Sequence, residues 1–174
     1  FGSLTSLDPL GPDQYGYYIY DSNDTDYSFV PEYDWIEIDP NYGGSGTDLN
    51  LSNSGDGNWN GNGPITQVDL PFTFKFYGID YNLITVCTNG WISLGSSSIE
   101  SFRNYPIPGP GGPSPMIAAF WDDLETSNNS DVFVFSSNSS VIIQWNDMRT
   151  NVANSNQTFQ MILYNDSNQP YGDN

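Results

Sequence analysis

A chain of 174 residues is long enough for one domain that buries roughly 70% of its extended-chain surface, and a single domain over residues 1–174 is expected. Lys and Arg number three against 21 Asp and Glu, giving a formal net charge of −18 with no His; nothing here can neutralise phosphates, so nucleic-acid binding is excluded. The lack of His removes the usual base of serine and cysteine hydrolases and any His-dependent zinc site, and one cysteine makes neither a disulfide nor a thiolate metal site.

No apolar run approaches the length of a membrane span, so membrane insertion is not expected, and no signal-peptide pattern follows Phe1. The chain therefore reads as a processed product or a piece of something larger. Along it no apolar pattern at i, i+3, i+4, i+7 is sustained, whereas short β-branched and aromatic runs bounded by Gly, Pro, Asn and Asp recur. The expected class is all-β, a sandwich of two mainly antiparallel sheets.

The first predicted strand, 15–20, runs into the acidic stretch 21–26. Asp21, Asn23 and Thr25 place oxygen side chains at alternate positions, and with the Tyr27 carbonyl and Glu32 they follow the spacing of a calcium loop. Asp26 stands where such a loop needs Gly, and Pro31 precedes Glu32. A Ca²⁺ site and a network of Asx turns both fit.

A strand is predicted at 34–38, followed by the Gly/Asn/Ser-rich insert 41–64, which reads as a long surface loop or an ordered, ion-bound one. Within it Trp59 has little local core to join; it either stacks on a ligand or packs down on the sheet. Tyr105 is the companion candidate for stacking on sugar rings, with Tyr15, Tyr17, Tyr18 and Tyr20 as others.

Strands follow at 67–77, 81–88 and 91–94. Phe72, Phe74 and Phe76 share one face and Thr73, Lys75 and Tyr77 the other. "YGID" predicts a tight turn, "TNG" a second, two-residue hairpin, and Trp91 an inter-sheet anchor. Cys87, inside "LITVC", reads as an inert buried thiol. The five prolines of 105–115 predict a stiff, unpaired crossover from one sheet to the other.

A strand at 115–122 ends on Asp122 and Asp123, which can cap backbone N–H groups, ligate a metal, or supply half of a glycosidase acid pair. The last strands are predicted at 131–136, 141–146 and 158–164. The ending "NDSNQPYGDN" looks like a hairpin connection whose return strand is missing. Asn-X-Ser/Thr sequons at Asn23, Asn50, Asn128, Asn138, Asn156 and Asn165 suit an exposed extracellular surface.

The segments "LPFTFKFYGIDYNLITVCTNGWISLG", "PMIAAFWDDL", "DVFVFSS", "VIIQWNDMR" and "TFQMILY" resemble the nidogen-like (NIDO-type) extracellular β module. With "DPLGPDQYGYYIYD" and "YDWIEIDP" the arrangement is similar to modules of large secreted multidomain bacterial surface proteins, some of which also carry peptidase and sorting domains. In that family a further strand follows "ILY".

The resemblance implies a module outside the cell that binds other protein chains or surface glycans; the missing His makes it non-catalytic, and the oxygen spacing adds a steadying Ca²⁺, with Asp21, Asn23, Thr25, Glu32, Asp122 and Asp123 as candidate ligands. An alternative is a structural subunit, a homo-oligomer or filament joined by strand donation at a sheet edge. A weaker one is a glycosidase using the Asp122–Asp123 pair.

Overall fold

The computed structural model describes residues 9–28, 30–53, 63–127 and 131–165; Trp59, Asn128 and the turn-rich ending 166–174, each singled out above, lie outside them. In chain order the strands are β1 (Thr47–Asp48), β2 (Ile65–Phe76), β3 (Ile79–Cys87), β4 (Trp91–Leu94), β5 (Met116–Ala118), β6 (Leu124–Glu125), β7 (Asp131–Ser136), β8 (Ser140–Thr150) and β9 (Asn156–Tyr164). Strands β2-β3-β4-β5 form one antiparallel sheet in that order. The other five strands form the second, with β8 central, β7 and the short β6 along one side of it, β9 along the other, and β1 beyond β7.

Local chemistry sets the turns. Tyr77 and Gly78, both at positive φ, join β2 to β3 in a two-residue turn with Phe76 opposite Ile79, the twist-matched hairpin geometry. The Thr88–Gly90 connection differs from the two-residue reading. Cys87 pairs with Trp91, so three residues form the loop; Gly90 N–H closes onto the Cys87 carbonyl, and among these three only Gly90 has positive φ. The register of β2 on β3 shifts between Asp69 and Phe74, and Pro71, which cannot donate to a ladder, sits inside that shift.

The core lies between the sheets. Ile84, Val86, Ile92 and Leu94 of one sheet meet Val132, Val141, Ile143, Met161 and Leu163 of the other. The inter-sheet anchor is Trp145, not Trp91. Trp145 is fully buried, stacks on Phe159 with centroids 5.0 Å apart, and donates Nε1–H to the Cys87 carbonyl at 2.9 Å, joining the two sheets. Trp91 points to the opposite face, against Cys87 and Trp121.

Both outer faces are covered by irregular chain. On the four-stranded sheet, Trp91 and Trp121 both donate their indole N–H to the Ser101 carbonyl, at 2.9 and 3.0 Å. The Pro-rich stretch 105–115 carries no strand, as expected. It does not cross between sheets, however: it links β4 to β5, which pair in the same sheet. Burial on this face lifts the Cys87 thiol to about 12, in keeping with an inert core thiol.

Two predicted strands are absent as such. In 15–20 only Ile19 bridges, to Leu10, and the ring of Tyr17 packs on Phe76 and Tyr77 at the β2–β3 turn. Segment 34–38 makes no ladder; it lies across the outer face of the five-stranded sheet, where Ile38 packs with Phe133 and Ile142. The first part of the insert 41–64 is also not a free surface loop: β1 pairs with β7, Leu51 enters the core, and buried Asn53 donates to the Leu124 carbonyl.

Gly90 offers a test of the fold. A Cβ there would lie 1.9 Å from the Phe120 carbonyl oxygen, at φ +76, so both the contact and the backbone conformation reject a side chain. Gly90→Ala should destabilise by on the order of 2–3 kcal/mol in urea unfolding, while Gly16→Ala, where φ is also positive but nothing lies within 4 Å, should cost less.

Candidate functional site

Position 144 is the origin of the site. Alternation along β8 sends Val141, Ile143 and Trp145 into the core and turns Ile142 and Gln144 to the outer face, yet all five are buried. A buried amide must find partners. The Gln144 Oε1 accepts from Ile38 N–H at 3.2 Å and from Gln160 Nε2 at 2.8 Å, and its Nε2 donates to Glu37 Oε1 at 2.9 Å. Gln160 also donates to the Ile36 carbonyl. Segment 35–39 is thereby fixed across the sheet.

Asp39 then turns the chain. Its carboxylate accepts from Asn41 N–H at 2.8 Å, capping a single 3-10 turn (Pro40–Tyr42), and from Asn146 Nδ2 at 3.0 Å. Gly44 permits the return: its Cβ would overlap the Ile38 backbone at 2.1 Å.

Between this segment and the sheet lies a polar cleft of about 650 Å³ whose walls include Trp35, Tyr42, Glu37, Asp39, Asp131 and Asp147. A second cleft, of about 560 Å³ and more apolar, follows β9 beneath Tyr20, Val30, Tyr33 and Trp35 and meets Phe159, Ile162 and Tyr164. Both clefts are lined by Trp35 and Thr158. The two clefts adjoin at these residues and are taken together as a trough, richer in apolar and aromatic wall along β9, more polar beside Asp39, and carrying carboxylates at both ends.

The acids of the trough differ in proton affinity. Burial pushes the Glu37 carboxyl up, but hydrogen bonds from Gln144, Asp39 N–H and Trp35 outweigh it and hold it below the usual range. Asp131 lacks that compensation. Burial, then the charges of Asp48 and Asp39, raise it from 3.8 to about 6, as expected where like charges crowd a partly desolvated carboxyl.

The residues singled out from sequence are dispersed. Asp21 Oδ1 accepts from Asn23 N–H at 2.7 Å, an Asx turn, and Asp21 N–H is held by Asp24, the buried acid of the stretch. The Tyr27 carbonyl accepts from Val30 N–H, and Thr25 is exposed. Only Asp21 and Glu32 of this set line the trough. Asp122 accepts from Asp123 N–H, and Asp123 accepts from Asn151 Nδ2 at 2.7 Å, so both acids organise the approach to β6.

Among the described residues no group of three or more His, Cys, Asp and Glu stands together as a metal-holding set. Tyr105 is half-exposed and its ring lies against Gly111. Asn23, Asn50, Asn138 and Asn156 are exposed, whereas Asn165 donates its side-chain amide to the Asn138 carbonyl. Glu37, Asp39, Asp131 and Asp147 were not singled out from sequence. The available signal was Gln144, a polar residue in the otherwise apolar run "VIIQW".

The family model described as NIDO related matches residues 40–169 of the chain. No solved structure matches it. No helix among the described residues is long and apolar enough to cross a membrane.

Asp131 supplies a pH test. Its folded-state affinity for a proton exceeds its ordinary value, so the proton's contribution to stability is complete below about pH 4 and is lost as pH rises through about 6. Melting curves of wild type and Asp131→Asn across that window should diverge, the wild type losing more stability with rising pH. Parallel curves would mean that Asp131 is not crowded by Asp48 and Asp39.

Proposed function

Since the chain belongs to the NIDO-related family, we propose that it is a non-catalytic binding module working outside the cell, and that it engages protein chains or surface glycans in the trough along β9. The observation that carries this reading is the trough itself. It joins aromatic walls to fixed carboxylates and amides, the mix by which binding sites combine contact area with orientation. The missing His and the engaged Asp122 and Asp123 support the non-catalytic part.

Trp35 stands at the junction of the two clefts, so Trp35→Ala is the informative variant. Probed on an array of surface glycans and extracellular protein fragments, the wild type should bind a subset that the variant loses. Binding that ignores Trp35→Ala would move the site elsewhere. Hydrolysis of any glycan by the wild type would replace this reading with the glycosidase one.

Calcium steadying is part of the proposal, resting on the oxygens of Asp21, Asn23, Thr25 and Glu32. Chelation should lower the melting temperature and Ca²⁺ restore it, by about 2.7 kcal/mol at one hundred times Kd. An unchanged curve assigns that stretch to turn chemistry alone. Assembly into filaments is the second reading, favoured by β9 pairing only with β8 among the described residues; a monomer by sedimentation at high concentration would remove it.

A further inference from the structure

Building on the binding-module reading, we infer that the trough along β9 takes an extended peptide segment with Lys or Arg at alternate positions, which adds to the five-stranded sheet as a further strand. Three observations converge on that partner.

The first is the edge. Among the described residues β9 pairs with β8 alone, and no backbone hydrogen bond from another described element reaches 157–164. Such an edge presents alternating N–H and C=O groups that an extended chain can satisfy. The second is shape. Residues 158–164 advance about 20 Å at roughly 3.3 Å per residue, and the trough follows this length between β9 and segment 30–35.

The third is charge. Asp21, Glu32 and Asp34 line the cleft that follows β9 and Asp147, whose N–H donates to Thr158 Oγ1, stands at the start of the polar one, and no Lys or Arg is among the described residues lining either. In a bound strand every second side chain faces the same wall, so cations at alternate positions meet the carboxylates, and an Arg plane can lie on Trp35. A second copy of this chain is a poor occupant. It brings a net charge of −18 and three cations, of which Arg149 is already paired with Glu125.

The probe is a blocked Lys-Thr alternating peptide of about eight residues, enough to span the edge. Its controls are a Glu-for-Lys counterpart and a version N-methylated at alternate residues, which keeps charge but cannot pair. Calorimetry should show binding of the first peptide only, weakened at least tenfold between about 20 and 300 mM salt. Hydrogen exchange at 158–164 should slow on binding. Asp34→Asn/Asp147→Asn should weaken binding about tenfold, and Asp69→Asn/Asp80→Asn, removing equal charge from the other sheet, should not.

Equal binding of the N-methylated peptide, equal loss in both double variants, or edge amides already protected without peptide would overturn the inference. Failure to bind together with a glycan signal that still requires Trp35 would overturn it too, while leaving the binding-module reading in place.

Discussion

The structure on this face depends on one buried amide. Gln144 sits at the centre of β8, on a face that an isolated strand would leave to solvent, and is fully buried. Burying an amide is unfavourable unless each of its polar atoms is satisfied. Here Ile38 N–H, Glu37 and Gln160 do so. The consequence is geometric: a stretch with no strand partner is held across a sheet at a fixed height, and the space on either side of it becomes the trough.

The two outer faces solve the same problem differently. Over β4 and β5 the cover is closed, with two indoles donating to one carbonyl at Ser101 and Gly112 approached by Met116 and Trp121. Over β8 and β9 the cover touches down at Ile38 and at the Gln144 contacts and leaves Tyr33 and Tyr42 well exposed. Exposed rings beside fixed acids suit recognition more than stability. Asymmetry between the covers is thus what separates scaffold from candidate site, and it is why the binding reading attaches to β9 and not to the Pro-rich stretch.

The all-β sandwich was legible because alternation and turn chemistry are local: Phe72, Phe74 and Phe76 on one face, Tyr77-Gly78 at a tight turn, and the strands 91–94 and 131–136 where the pattern set them. What failed was non-local. Segments 15–20 and 34–38 have strand composition, but ladder pairing needs a partner edge, and the segments found side chains instead. The acids Glu37, Asp39, Asp48 and Asp131 are dispersed over nearly a hundred positions, and only the pairing of β1 with β7 and the crossing of segment 35–39 bring them near one another. The Asp21 to Glu32 spacing, by contrast, was visible in sequence because it is local, and its hydrogen bonds are those of turns.

If the Gln144 contacts hold the cover, then Gln144→Leu, close in volume and apolar, should leave the inter-sheet core intact while freeing segment 35–39. Native-state hydrogen exchange resolves the two. The amides of Ile38 and Asp39, bonded to Gln144 and Glu37, should exchange on the order of ten- to a hundredfold faster in the variant, matching about 1–3 kcal/mol of lost polar contacts, with Ile84 and Ile143 much less affected. Unchanged exchange at Ile38 and Asp39 would contradict the account, for the cover would then be held by Ile38 packing alone.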